Sequence, residues 1–140
     1  MSTLTKPSPV TAIPPADSPT AHEHFRAAFR FETDCWDVHA SLAAGADFVL
    51  LDVRSAEFYR HGHVPGALSA PHRKIVEGFL ARWPQETVFV VYCAGVHCNG
   101  AQRAAARCAG LNRPVKVMVG GIIGWRDEGF ALAVGEAPQG

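Results

Sequence analysis

Short apolar runs, each ending at a loop that leads into a helical stretch, recur along this chain and constrain its fold more than any other feature. Phe48–Asp52, Val88–Tyr92 and Val115–Val119 are about five residues long and rich in Val, Leu and Ile-like side chains. Runs of that length and composition read as strands buried on both faces. The segments between them carry apolar residues at helical spacing, and strands alternating with helices predict a mostly parallel sheet covered on both sides.

The helical stretches have recognisable ends. Thr33 is the expected N-cap of a helix over residues 33–44, with Gly45 ending it, and Ser55 caps a short helix over 56–60. Val64, Pro65, Gly66 and Ala67 predict a turn, followed by a brief strand over 67–70. Residues 71–83 carry Ile75, Val76, Phe79 and Leu80 at helical spacing and predict one helix closed by Pro84. From Gly100, residues Ala101, Ala104, Ala105 and Cys108 fall on one helical face, with Gly110 as the expected left-handed cap. A last helix is predicted over 122–128, after Gly120 and Gly121 turn the chain sharply.

Towards the N-terminus the pattern fades. Pro7, Pro9, Pro14, Pro15 and Pro19 predict a disordered, proline-rich tail over residues 1–20. A short helix over 22–28 and a short alternating strand over 29–31 are expected next. The single folded domain is placed at 21–134 and a C-terminal tail at 135–140, a size compatible with one core given that 48% of the 140 residues are apolar.

Charge excludes some functions. Thirteen basic residues balance thirteen acidic ones, so neither a nucleic acid nor an anionic membrane surface is an expected partner. No apolar stretch is long enough to span a bilayer, and the first residues lack the apolar centre of a secretory signal, which predicts a cytoplasmic protein. In that compartment the four cysteines are expected as reduced thiols.

Chemistry concentrates in residues 92–101. Cys93 follows the second strand directly and opens a loop of Ala94, Gly95, Val96, His97, Cys98, Asn99 and Gly100 before the alanine-rich helix. A thiol at such a junction lies where loop N–H groups and a helix N-terminus can stabilise a thiolate or a bound anion. In parallel sheets, ligands bind outside the carboxyl ends of the strands, and Cys93 is at that end. Cys98 has open roles: resolving a sulfenic acid or persulfide on Cys93, acting as the nucleophile itself, or shaping the loop. Arg103 and Arg107 fall opposite the alanine face and are expected in solvent. His97 reads either as a thiol-tuning group or as an exposed loop residue. Cys35 and Cys108 fall in register with apolar helix faces and are expected in the core. Asp52, Arg54 and Glu57 read as an ion-paired scaffold, with Arg54 and Glu57 near enough along the chain to meet. No metal site is expected, because Cys93 and Cys98 do not form a Cys-x-x-Cys pair and Cys108 faces inward.

Four segments in order, Leu50-Leu51-Asp52-Val53-Arg54-Ser55-Ala56-Glu57-Phe58, Gly62-His63-Val64-Pro65-Gly66-Ala67, Val91-Tyr92-Cys93, and Gly120-Gly121-Ile122 with Trp125, resemble the successive signatures of a rhodanese-like domain. The resemblance implies a three-layer α/β fold with a central, mostly parallel five-stranded sheet flanked by helices. It also implies a sulfurtransferase in which Cys93 becomes a persulfide, moving sulfane sulfur from a donor such as thiosulfate to a thiol or cyanide by covalent catalysis. The implied partners are a small sulfur donor and a thiol or protein acceptor, with no cofactor; oligomeric state stays open, a homodimer included. His61 and His63 take a structural role on this resemblance. The chain departs from the family pattern where an arginine usually closes the loop five positions after the cysteine: that position is Cys98, and the next is Asn99. The loop therefore lacks a cation of its own, and thiosulfate is expected to be a poor donor. Two other readings remain: a non-catalytic or redox-sensing module on the same fold, and a phosphatase or arsenate reductase, which Asn99 disfavours because it cannot grip an oxyanion as arginine does.

Overall fold

The structure, a computed structural model, describes residues 6–140 and divides into two units, Met1–Arg30 and Phe31–Gly140. The described part of the first unit holds one helix, α1 (Ser18–Ala28), with no buried residue. It starts earlier than the sequence suggests. Asp17 accepts hydrogen bonds from the Thr20 N–H at 3.2 Å and its hydroxyl at 3.0 Å, and Pro19 is tolerated in the first turn, where its missing N–H costs nothing.

The second unit is built on five parallel strands in the order β1-β5-β4-β2-β3. They are β1 (Glu32–Asp34), β2 (Phe48–Asp52), β3 (Leu68–Ser69), β4 (Val88–Tyr92) and β5 (Val115–Val119). The helices are α2 (Cys35–Ala44), α3 (Ala56–His61), α4 (Glu77–Leu80), α5 (Gly100–Gly110) and α6 (Gly121–Asp127). The expected α/β fold with a central sheet is thus observed, and the sheet is wholly parallel.

Strand pleat divides the core. Successive residues of β4 point to opposite faces: Phe89 and Val91 join Leu51, Ile75, Leu80, Ala101, Ala104 and Cys108 on the side of α4 and α5. Val90 and Tyr92 join Cys35, Val38, Tyr59, Met118, Ile122 and Trp125 on the side of α2, α3 and α6. Register pairs Asp52 with Tyr92 at the carboxyl ends of β2 and β4, so the residues that follow both strands emerge side by side.

Several element ends differ from expectation. The strand expected over 29–31 lies at Glu32–Asp34, where Glu32, Thr33 and Asp34 register against Val117, Met118 and Val119; Phe31 is exposed. Thr33 is therefore a strand residue, and Asp34 caps α2 by accepting the Asp37 N–H at 2.8 Å. The helix expected over 71–83 breaks into a 3-10 turn, His72–Lys74, and the short α4. The break falls at Ile75 and Val76, adjacent β-branched residues, with Val76 fully extended at φ −127° and ψ 166°. Gly110 lies inside α5, and the left-handed residue that ends the turn is Asn112, with φ 62°. At the C-terminus, Gly66 N–H donates to Pro138 O at 3.0 Å and a His63 ring nitrogen lies 2.9 Å from the same carbonyl, so residues 135–140 are bound to the turn after α3. No helix among the described residues is long and apolar enough to cross a membrane.

Candidate active site

Beneath the loop that follows β4 lies a buried polar knot. The Arg54 side chain, only 8% exposed, donates from Nη2 to Asp52 Oδ2 at 2.7 Å and from Nε to Oδ1 at 3.0 Å, while Nη2 also reaches Gly62 O at 2.7 Å. Tyr92 donates its phenol to Asp52 Oδ2 at 2.8 Å and accepts the Val64 N–H at 3.1 Å. Burial first, and then the Asp52 carboxylate, hold the Tyr92 hydroxyl well above its ordinary range, so it stays a donor. The scaffold expected from Asp52, Arg54 and Glu57 exists with a different pairing. Arg54 is taken by Asp52 rather than Glu57, because both project from the end of β2 while α3 carries Glu57 away.

The loop is held from the far side by α6. Ile122 and Ile123 N–H donate to the carbonyls of Cys93 and Ala94 at 3.0 and 2.9 Å. That approach requires Gly121, whose φ is +59° and where a Cβ would crowd the Cys93 carbonyl and lie 2.7 Å from the Ala94 carbonyl carbon. The sharp turn expected of Gly120 and Gly121 is therefore the clamp on the loop.

Within the loop, Cys98 N–H donates to Gly95 O at 3.1 Å and folds the chain back on itself. The fold-back brings the two loop thiols together: Cys93 Sγ and Cys98 Sγ are 2.8 Å apart. Gly100 makes room for them, since a Cβ there would lie 2.8 Å from Cys93 Sγ and 3.5 Å from Cys98 Sγ. The Gly100 N–H, at the start of α5, points at Cys98 Sγ at 3.4 Å. This helix-terminal donor, expected for the thiol after the strand, thus serves Cys98.

The two thiols are not equivalent. Cys93 is buried, 8% exposed, and desolvation together with the hydrogen bond it gives Cys98 pushes its pKa up to about 11. Cys98 is partly exposed, and its pKa is lowered by the hydrogen bond from Cys93 and then by the Gly100 N–H. Of the two, Cys98 is therefore the thiol that ionises more readily, with Cys93 as its protonated neighbour. Cys35 and Cys108 are buried on opposite faces of the sheet, as expected, and burial raises both to about 11. His97, Val96 and Asn99 are exposed; Asn99 Oδ1 accepts from Arg103 Nε at 3.1 Å, which keeps that exposed guanidinium on the outer face of α5.

Sequence reasoning missed the cleft. Arg54, Ser55, Phe58, Ile122, Ile123 and Arg126, with both loop cysteines and Ala94, enclose about 420 Å³. Its walls are largely apolar, with Phe58 63% exposed and Ile123 42% exposed to the opening. Arg126 stands at the rim with no ion pair among the described residues. The signal was in α6, where Arg126 follows Ile122 and Ile123 by about one helical turn and so shares their face.

Comparison with known proteins agrees with this geometry. The family model described as Rhodanese-like domain matches residues 37–128. The chain belongs to the rhodanese-like family. Among solved structures, this rhodanese-like chain is similar to the BH2092 protein from Bacillus halodurans, at 36% identity and TM-score 0.80 over 87% of this chain and 90% of that one. It is also similar to a thiosulfate sulfurtransferase from Pseudomonas aeruginosa, at 29% identity and TM-score 0.62 over 82% of this chain but 21% of that one. A curated relative, the HTH-type transcriptional regulator Rv0324 of Mycobacterium tuberculosis, is 34% identical over 94 residues, 67% of this chain. The rhodanese-like chain spans 41% of that relative's length.

Proposed function

We propose that this rhodanese-like domain is a sulfurtransferase in which Cys98 takes up a sulfane sulfur and Cys93 supports the Cys98 sulfur as a hydrogen-bond donor. The observation that carries this reading is the 2.8 Å contact between Cys93 Sγ and Cys98 Sγ at the floor of a cleft. Of the pair, Cys98 is the more exposed and the more acidic, and the thiolate is the nucleophile. Cys93, at the position the family resemblance marks for the persulfide, is the protonated partner.

The chemistry takes two steps. The Cys98 thiolate attacks the outer sulfur of an anionic donor such as an organic thiosulfonate, the donor's sulfur–sulfur bond breaks, and a sulfinate leaves with the electron pair. An acceptor thiolate or cyanide then attacks the outer sulfur of the Cys98 persulfide and releases the Cys98 thiolate. Apolar walls of Phe58, Ile122 and Ile123 beside the Arg126 guanidinium favour a donor with an apolar body and an anionic head over bare thiosulfate. A reducing, cytoplasmic setting would keep both thiols available.

The test is thiocyanate formation from benzenethiosulfonate with excess cyanide. Wild type should turn over, Cys98→Ser should lose the activity, and Cys93→Ser should keep a reduced rate. Full activity in Cys98→Ser, or no turnover by wild type with benzenethiosulfonate or thiosulfate, contradicts the proposal.

A further inference from the structure

We propose that the same cysteine pair discharges its persulfide internally, releasing hydrosulfide and closing a Cys93–Cys98 disulfide, so that the domain also works as a dithiol-dependent sulfane sulfur reductase. This rests on the reading of Cys98 as the sulfur carrier.

Geometry is the argument. When Cys98 holds the sulfane sulfur, its own Sγ is the inner atom of the persulfide, and Cys93 Sγ already touches that atom at 2.8 Å. A disulfide needs about 2.05 Å between sulfurs, so closure asks for a movement of less than an ångström within a loop that the Cys98 N–H to Gly95 O bond already folds. Gly100 leaves the space between helix and thiols open for that approach. Such a positioned neighbour needs no encounter, so it discharges the persulfide when no excess of cyanide or thiol is present to intercept it. The outer sulfur has an exit, because both cysteines line the cleft bounded by Phe58 and Arg126. Cys35 and Cys108 cannot substitute, each being buried in the core on its own side of the sheet.

The balance closes without an external oxidant. Cys93 sulfur attacks Cys98 Sγ, the bond between Cys98 Sγ and the outer sulfur breaks, and the outer sulfur leaves with the electron pair and the Cys93 proton as hydrosulfide. The two thiols are oxidised to a disulfide while the sulfane sulfur is reduced to sulfide. The next turnover needs a dithiol reductant to reopen the pair.

The experiment is a thiol-free reaction of the full chain with benzenethiosulfonate, whose leaving group, benzenesulfinate, is not a thiol and cannot discharge a persulfide. Sulfinate, sulfide and protein mass are followed together. Wild type should release sulfinate and about one sulfide per chain, lose two hydrogens in mass, yield a linked Cys93–Cys98 peptide, and then stop until dithiothreitol is added. Cys93→Ser should release sulfinate, gain one sulfur and release no sulfide. If wild type releases sulfinate but keeps the added sulfur with no sulfide and no linked peptide, internal discharge is wrong while sulfur transfer stands. If neither protein releases sulfinate, the sulfurtransferase reading fails with it. The linked peptide is read on wild type alone, so the test survives a misfolded variant.

Discussion

Tyr92 Oη donates to Asp52 Oδ2 at 2.8 Å directly beneath the loop that carries the cysteines. Both residues are fully buried, and the same hydroxyl accepts the Val64 N–H at 3.1 Å. Tyr92→Phe would leave a buried carboxylate one donor short and a buried N–H unpaired. The expected loss is about 1–3 kcal/mol, measured as a lower urea midpoint with an unchanged slope. Asp52→Ala should cost more, about 3–5 kcal/mol, because it strands the Arg54 guanidinium.

Gly100 separates stability from activity. Gly100 is the first residue of α5 and has an ordinary helical backbone, and the atom an added Cβ meets first is the end of a rotatable side chain, so Gly100→Ala should still fold. Its Cβ, however, would press on Cys93 Sγ from 2.8 Å. Thiocyanate formation should fall by roughly tenfold to a hundredfold, the scale of a small misplacement in a reacting pair. An unchanged rate would mean that the sulfur contact is not used.

The thiols should titrate in order. Cys98 lies below the ordinary value of 9.0, while Cys93, Cys35 and Cys108 are raised to about 11. Iodoacetamide at neutral pH should therefore label Cys98 first in the folded chain, with the other three protected. The same shifts set a stability trend. An acid whose folded pKa is raised gives up its proton more readily unfolded, so the stabilisation is full below about pH 9 and is lost as pH rises towards about 11. Thermal midpoints across that window should decline, and Cys108→Ala should decline less steeply.

Arg126 should govern donor capture. Arg126→Ala removes a cleft-rim cation that has no ion pair among the described residues. KM for benzenethiosulfonate should rise about two- to fivefold with kcat little changed, as expected for one exposed charge interaction. Added salt should raise the wild-type KM towards that of the variant.

Much of this could be read from the residues. The strands β2, β4 and β5 were legible as contiguous apolar runs, and the position of Cys93 at a carboxyl strand end followed from them. The alanine face of α5 placed Cys108 in the core correctly. Edge elements were less legible. β1 has three residues and one partner strand, so its position is set by register against β5 rather than by its own pattern. Residues 71–83 have helical spacing, yet Ile75 and Leu80 both reach the core across a broken segment, which spacing alone does not distinguish from one helix. At the site, the sequence named both loop cysteines and offered Cys98 as a resolving partner for Cys93, but not the geometry that brings them into contact. That contact depends on the Cys98 to Gly95 turn and on the missing Cβ of Gly100. The cleft was hidden for a similar reason, since Phe58 and Arg126 come from helices far apart along the chain.

The most direct test of the account is where the sulfur sits. Cys93→Ser and Cys98→Ser, each treated briefly with stoichiometric benzenethiosulfonate, alkylated and mapped by peptide mass spectrometry, isolate the two thiols. The account predicts one added sulfur on Cys98 in Cys93→Ser and none on Cys93 in Cys98→Ser. Rapid sulfur loading of Cys93 in Cys98→Ser, with Cys98 left unmodified in Cys93→Ser, would contradict it.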